Sequence, residues 1–215
     1  MIISHKNKFV FIAINKTATT SIRTSLHDKS DVNAVADTQS PYYFHATAKR
    51  LKIEFKKNSW DWNSYFKFSF VRNPWDRMVS AYFYRLKMVK HWSKIKPNNK
   101  YTHDVFECFK VQLHSVSNFN QWLKKYANHE SVNLHQHKFL YDGDEKLVNF
   151  VGKYENLSDD FNYVMSKVGC EHIKLPFLNK SKRTDYKNYF DDETRKLIKK
   201  YYSKDINLFN YKYND

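Results

Sequence analysis

Two stretches of this 215-residue chain concentrate polar residues in an order suited to anion chemistry. The first is Asn15-Lys16-Thr17-Ala18-Thr19-Thr20-Ser21-Ile22-Arg23, directly after the apolar run Phe9 to Ile14. A polar, small-residue turn between a buried strand and a helix aims several backbone N–H groups and hydroxyls at one point, where the positive end of the helix dipole already favours an anion. Lys16 adds a point charge, and Thr17, Thr19, Thr20 and Ser21 add donors, so phosphate is the ligand class this loop fits. An ordinary N-capped helix whose threonines satisfy its own N–H groups has the same local composition. The nucleoside-triphosphate loop GxxxxGK[ST] needs two glycines and places its Lys last. Here the Lys comes first and neither glycine is present, which counts against ATP or GTP machinery with a hydroxyl-bound magnesium.

The second stretch runs Phe68-Ser69-Phe70-Val71-Arg72-Asn73-Pro74-Trp75-Asp76-Arg77-Met78-Val79-Ser80-Ala81-Tyr82. Arg72 stands at the carboxyl end of an expected strand, where open α/β sheets bind ligands, and Ser80 follows on the next helix. A guanidinium fork plus a hydroxyl matches a second phosphate in a geometry that Lys cannot reproduce. A structural ion pair of Arg72 with Asp76 is the competing use.

The elements that must position these residues are legible in the hydrophobic pattern. Phe9 to Ile14 reads as a strand buried on both faces, since it lacks polar alternation. Phe66 to Val71 alternates Phe66, Phe68 and Phe70 against Lys67, Ser69 and Val71, and Val148 to Tyr154 is similar in kind. One helix is expected from Thr19 or Thr20. A second has Asn73 as N-cap and Pro74 at its first position, buries Trp75, Met78, Val79, Tyr82 and Phe83, and leaves Arg77, Ser80 and Tyr84 on another face. A third is capped by Ser158-Asp159-Asp160, buries Leu157, Phe161, Val164 and Val168, and stops at Gly169. The last opens with Asp191-Asp192-Glu193 and closes with Lys199-Lys200, each sign matched to the helix dipole. Strands alternating with helices predict an α/β fold with a largely parallel sheet. Residues 91 to 137 are less regular and read as an insertion in a single domain spanning 1–215, with a short amphipathic helix at Phe119, Trp122, Leu123 and Tyr126.

Composition bounds the function more loosely. A hydrophobic content of 41% is that of a globular chain long enough to close a core. Cys108 and Cys170 have no metal-ligand or disulfide-framework spacing, and the short apolar run near the N-terminus is neither a membrane span nor a cleaved leader, so a reducing, cytoplasmic setting is the expectation. A net charge of +15 calls for a polyanionic partner: nucleic acid, an anionic membrane surface, an acidic polysaccharide or a phosphate-rich cosubstrate. A Lys- and Asn-rich composition also arises from a nucleotide-biased genome, so charge alone does not choose.

The two polar stretches resemble the 5'-phosphosulfate loop and the 3'-phosphate motif of the sulfotransferases, in the group that includes carbohydrate sulfotransferases and bacterial relatives. The pattern RNPxxRxxSxY is long and specific. In order along the chain, Asp142-Gly143, Val148-Asn149-Phe150-Val151-Gly152-Lys153-Tyr154-Glu155-Asn156-Leu157, Leu175-Pro176 with Asn179-Lys180-Ser181, and Asp205-Ile206-Asn207-Leu208-Phe209-Asn210-Tyr211 resemble further landmarks. The resemblance implies a P-loop-like parallel sheet flanked by helices and a cosubstrate, 3'-phosphoadenosine 5'-phosphosulfate, released as adenosine 3',5'-bisphosphate. Lys16, Thr17, Ala18, Thr19, Thr20 and Ser21 would wrap the 5' end, Arg72 and Ser80 would take the 3'-phosphate, and the loop carrying Asn179, Ser181 and Arg183 would close over the nucleotide. Two departures stand out. Lys153 occupies a position where many relatives have Arg, and Ala18-Thr19 one where relatives vary among small residues, often with Gly.

Sulfuryl transfer is an in-line displacement that needs a base and cations, and no metal. Lys16 suits the leaving phosphate. His45, in Phe44-His45-Ala46-Thr47, is the favoured base, because an imidazole accepts a proton near neutrality and related sequences carry a His between the first helix and the RNP strand. Glu54 is the fallback. His135 and His137 lack a third ligand at matching spacing, so a solvated or acceptor-lining role is expected. The acceptor is a hydroxyl or amine, with a saccharide preferred by analogy. Trp92, Lys94, Lys96, Lys100, Tyr101, Trp122, Lys124 and Lys125 are candidates to line its groove, though a solvated lysine face and a core Trp122 are the simpler expectation. A kinase-like phosphotransferase is the rival enzyme, and a basic nucleic-acid-binding module the rival non-enzyme. Nucleic acid is not expected as a partner because it leaves the ordered motifs unexplained, whereas peripheral contact of the basic surface with an anionic membrane is retained. Oligomeric state is not readable from the chain.

Overall fold

A computed structural model describes residues 1–97, 99–132, 134–176 and 183–214. The chain forms two compact units, Met1–Arg72 with Gln136–Lys180 and Asn73–His135 with Ser181–Asp215.

The first unit is built on a five-stranded sheet. Its strands are β1 (Ile2–Ser4), β2 (Phe9–Ile12), β3 (Val32–Asn33), β4 (Phe66–Val71) and, after a β5–β6 ribbon (Tyr141–Asp142 and Glu145–Lys146), β7 (Phe150–Lys153). The spatial order is β3-β1-β2-β4-β7. β2, β4 and β7 are parallel, with Phe11 opposite Phe68 and Val71 opposite Lys153, whereas β1 runs antiparallel to both β2 and β3. The sheet is therefore mostly parallel, as expected, with one reversed strand near its edge that the pattern did not announce.

Strand period explains which residues meet. Phe9, Phe11, Phe68 and Phe70 project to one face, where they pack with Ile22 and Leu26 from the region of α1 (Thr19–Ser25) and with Phe161, Val164 and Met165 from α7 (Leu157–Lys167). Val10, Ile12, Lys67, Ser69 and Val71 take the opposite face and are buried too, which is why neither strand has an exposed polar row. Lys67 manages this by donating from Nζ to the Trp62 carbonyl at 3.2 Å, and its burial lowers its pKa. The helix α2 (Ala48–Lys57) buries Ala48, Leu51 and Phe55, and the Phe55 ring meets Trp60, Trp62 and Tyr65 edge-on. A short α6 (His137–Leu140) precedes the β5–β6 ribbon.

Gly152 has a steric role in β7. A Cβ there would lie 2.6 Å from Phe70 Cε1 and 3.1 Å from Asp160 Cβ, so only glycine lets the strand and α7 close on the Phe70 ring.

The second unit is helical among its described residues: α3 (Pro74–Trp92), α4 (Lys100–His114), α5 (Phe119–Tyr126), α8 (Asp192–Tyr201) and α9 (Ser203–Leu208). Trp75, Met78 and Val79 pack with Phe119, Trp122, Leu123, Ile198 and Tyr202. Side chains cap the helices as their types require: Asn73 accepts from Trp75 N–H, Asn99 from Thr102, Asn118 from Gln121, and Asp191 forms a capping box with Thr194. A buried Arg85 of α3 joins α4 and the loop after α5 by donating to Gln112 Oε1 and the Ser131 carbonyl, besides the Ala81 carbonyl of its own helix, at 2.9–3.0 Å. Burial pushes its pKa down to about 10, which still leaves the guanidinium charged at neutral pH.

Several expected boundaries shift. The first strand pairs only to Ile12, because Ala13 and Ile14 already enter the turn that leads to α1, and the third covers Phe150–Lys153. The stretch read as irregular holds α4, fifteen residues long, besides the expected α5. Its apolar positions are half-buried or, at Val111, exposed, which blurs the periodicity. The third helix starts at Leu157, one residue before its expected cap, because the Asp160 carboxylate is spent on the Lys153 N–H (2.6 Å) and Asn156 Nδ2 (2.9 Å). Arg77, expected on another face than the buried one with Ser80 and Tyr84, is itself 1% exposed and donates to the Leu134 carbonyl. No helix among the described residues is long and apolar enough to cross a membrane.

Candidate functional site

The exit of β2 leads through α1 to β3 on one side of the sheet, and the exit of β4 leads eventually to β7 on the other. Strand order therefore reverses between β2 and β4, and the carboxyl ends of those two strands frame the crevice where open α/β sheets take ligands. Lys16 and Arg72 stand at those two ends.

The turn from Asn15 to Ala18 has an unusual backbone for its sequence. Lys16 and Ala18 both have positive φ, 68° and 62°, a left-handed conformation normally left to glycine. Left-handed residues alternating with ordinary ones curl the chain so that successive N–H groups face inward, a concavity suited to an anion. Two hydroxyls brace this curl: Thr17 Oγ1 and Thr19 Oγ1 both donate to the Ile14 carbonyl, at 2.9 and 2.5 Å. Their protons are thus used within the loop, and what they contribute is its shape. Thr17 and Ser21 are buried, Lys16, Ala18 and Thr19 half-buried and Thr20 exposed. Since α1 is only seven residues long, the curl and the nearby cations matter more for anion attraction than its dipole.

Arg72 is 6% exposed. Its Nη1 donates to the Lys16 carbonyl at 3.1 Å, and its guanidinium carbon lies 3.7 Å from the Tyr154 ring centroid. Lys153, the last residue of β7, is registered against Val71 and so stands beside the same strand end.

His45 reaches the loop from the segment before α2. Its Nδ1 lies 2.8 Å from the Ala13 carbonyl. A carbonyl only accepts, so Nδ1 carries the proton and the neutral ring holds its lone pair on Nε2. Neighbours fix the approach: Arg23 of α1 stacks on Phe44 at 4.5 Å, Tyr43 meets the His45 ring edge-on, and Thr47 caps α2. Three carbonyls of one short turn therefore hold the key side chains, Ala13 for His45, Ile14 for the two threonines and Lys16 for Arg72.

The other expected residues lie elsewhere. Glu54 is engaged by Lys57 at 2.7 Å within α2. Ser80, half-buried on α3, and Arg183, paired with Asp76, belong to the second unit. Asp76 thus forms an ion pair with Arg183. Asn179 and Ser181 lie outside the described residues. His137 is buried at the start of α6 and His135 is half-buried against Tyr202, so of the solvated or acceptor-lining places expected of them neither has the solvated one. Trp122 is core, and Lys124 pairs with Glu193.

Two residues went unread in the sequence. Tyr154, under Arg72, was visible only as part of the Lys153-Tyr154 landmark. Gln136, fully buried, accepts from the Arg72 N–H at Oε1 and donates from Nε2 to the Arg72 carbonyl, both at 2.9 Å. Nothing local signals it, since its partner lies 64 positions away.

Comparison with known proteins finds relatives over most of the chain. Carbohydrate sulfotransferase 10 of Xenopus laevis is 26% identical over 176 residues, covering 70% of this chain and 48% of that protein. Carbohydrate sulfotransferase 11 of Mus musculus is 27% identical over 178 residues, covering 69% and 47%. An uncharacterized protein of Archaeoglobus fulgidus is 26% identical over 107 residues, covering 50% of this chain and 70% of its own. The chain spans about half the length of the two carbohydrate sulfotransferases it matches. No solved structure matches it. The model of the sulfotransferase family matches residues 1–212, and the chain belongs to that family.

Proposed function

We propose that this protein transfers a sulfuryl group from 3'-phosphoadenosine 5'-phosphosulfate to a hydroxyl or amine, preferably of a saccharide, and that the P-loop-like turn at 15–21 cradles the 5' end of the donor. The observation that carries the reading is the convergence of His45, Lys16 and Arg72 on the Ala13–Lys16 main chain. It gathers an imidazole, a lysine and a guanidinium at one end of the sheet, the residue types that sulfuryl transfer requires.

In this mechanism the acceptor oxygen attacks sulfur in line with the bridging oxygen of the 5'-phosphate. The new S–O bond forms as the bridging S–O bond breaks, and its electron pair remains on the phosphate of adenosine 3',5'-bisphosphate. His45 Nε2 takes the acceptor proton. Lys16 follows the charge growing on the bridging oxygen, and no step calls for a metal. The curled loop supplies N–H groups to the 5'-phosphosulfate, while Arg72 offers its fork to the 3'-phosphate, with Lys153 adding positive potential nearby. Ser80, Asn179, Ser181 and Arg183 enter this reading from the motif resemblance alone. The saccharide preference rests on the names of the relatives.

The test is ligand-induced thermal stabilisation followed by a transfer assay. Adenosine 3',5'-bisphosphate should raise the melting temperature and ATP should not. Radiolabelled donor should then label a member of a glycan panel. Stabilisation by ATP alone, or salt-sensitive oligonucleotide binding without any response to the bisphosphate, would overturn the proposal.

A further inference from the structure

Arg72 occupies a place where the sheet no longer provides for it. The β2–β4 ladder ends at Ile12 opposite Ser69, and the β4–β7 ladder ends at Val71 opposite Lys153. The next residue, Arg72, is buried, and a buried peptide group must find a donor and an acceptor or forfeit its hydration. Gln136 supplies both. Its primary amide presents C=O to the Arg72 N–H and N–H to the Arg72 C=O, each at 2.9 Å, copying the pair of bonds that a neighbouring strand would make.

We infer that Gln136 is a positioning residue: it extends β4 by one residue and so fixes the Arg72 guanidinium against the phosphate loop. The chain of contacts is continuous. Gln136 holds the Arg72 peptide, the Arg72 side chain lies on Tyr154, and its Nη1 holds the Lys16 carbonyl of the curled turn. Gln is suited to this place because its amide both donates and accepts; Glu as a carboxylate only accepts, and Met does neither. The inference rests on the reading that Arg72 contacts the donor nucleotide.

The experiment is calorimetric titration with adenosine 3',5'-bisphosphate of wild type, Gln136→Met, Gln136→Glu, Arg72→Ala and the Gln136→Met/Arg72→Ala pair, alongside ligand-free melting temperatures. Gln136→Met should weaken binding about tenfold, the scale expected when a buried hydrogen-bonded pair is lost. Gln136→Glu should weaken it similarly, and it carries the test if Gln136→Met does not fold. The pair should bind no worse than Arg72→Ala alone, because Gln136 acts through Arg72. Wild-type affinity in both Gln136 variants, or losses that multiply in the pair, would overturn the inference while leaving the role of Arg72 intact. Unchanged affinity in Arg72→Ala would instead remove the nucleotide reading, and the inference with it.

Discussion

His45 is held by the bond from Nδ1 to the Ala13 carbonyl, and the proposed base is its other ring nitrogen, so substitution separates the two roles. Asn is the informative replacement. Its Nδ2 overlays the imidazole Nδ1 and can still donate to the Ala13 carbonyl, now bonded at 2.8 Å, but it has nothing at the position of Nε2. Ala removes both. A neutral hydrogen bond contributes about 0.5–1.5 kcal/mol, and the lost edge-on contact with Tyr43 adds roughly 0.5 kcal/mol. His45→Ala should therefore lose about 1–2 kcal/mol of stability and His45→Asn about 0.5 kcal/mol. Removal of a general base costs roughly 100- to 10,000-fold in rate, about 3–5 kcal/mol of transition-state stabilisation. Turnover should thus collapse to a similar low level in both variants, although only one loses the anchor. Urea denaturation reads the first quantity, and transfer of radiolabelled sulfate to the acceptor found in a glycan screen reads the second. Wild-type turnover in His45→Asn would remove His45 as the base. Equal destabilisation of the two variants would show that the Ala13 bond is not what holds the ring.

Three further outcomes follow from the geometry. Gly152→Ala should lower the urea midpoint by the equivalent of about 1–3 kcal/mol, since the new methyl meets the Phe70 ring at 2.6–2.8 Å, and Phe70→Leu in the same chain should recover part of it; an unchanged midpoint refutes the steric argument. Ala18→Gly relieves a left-handed φ of 62°, a strain of about 1–2 kcal/mol offset by roughly 0.5–1 kcal/mol of extra chain entropy, so thermal melting should show no loss and a gain of up to about 1.5 kcal/mol. Burial pushes the pKa of Asp31 up, but the N–H groups of Lys6 and His5 outweigh it and leave the value lowered; ionised Asp31 thus stabilises the fold above its unfolded value of about 3.9, and this is lost as pH falls through the folded value. Asp31→Asn should be less stable than wild type at neutral pH, with the gap closing on acidification, whereas a constant gap from pH 7 to pH 2 in urea titrations would contradict the assignment.

Local rules were sufficient wherever the determining partners are close in sequence. The double-sided burial of β2 and β4, the Asn73-Pro74 start of α3 and the charged ends of α8 all follow from strand period, capping and the helix dipole. The ordered spacing of Lys16, Thr17, Arg72, Asn73 and Pro74 likewise marked the family before any coordinates. By contrast, β1 and β3 are too short to show a period, and α4 buries too little to display a clean stripe.

The amino-acid order alone determined which chemical groups the chain carries and in what order: a cation in a polar turn, a guanidinium at a strand end and an imidazole between them. Only the tertiary structure decided how those groups are held. The left-handed turns at Lys16 and Ala18 arise in residues with no intrinsic preference for them, stabilised by two threonines on the Ile14 carbonyl and by Arg72 on the Lys16 carbonyl. The Gln136 amide completes a strand 64 positions away, and His45 gains its tautomer from a carbonyl 32 positions away. Such contacts leave no local trace because their energy depends on two surfaces meeting after collapse, when a buried peptide group must be paired with whatever the fold brings to it.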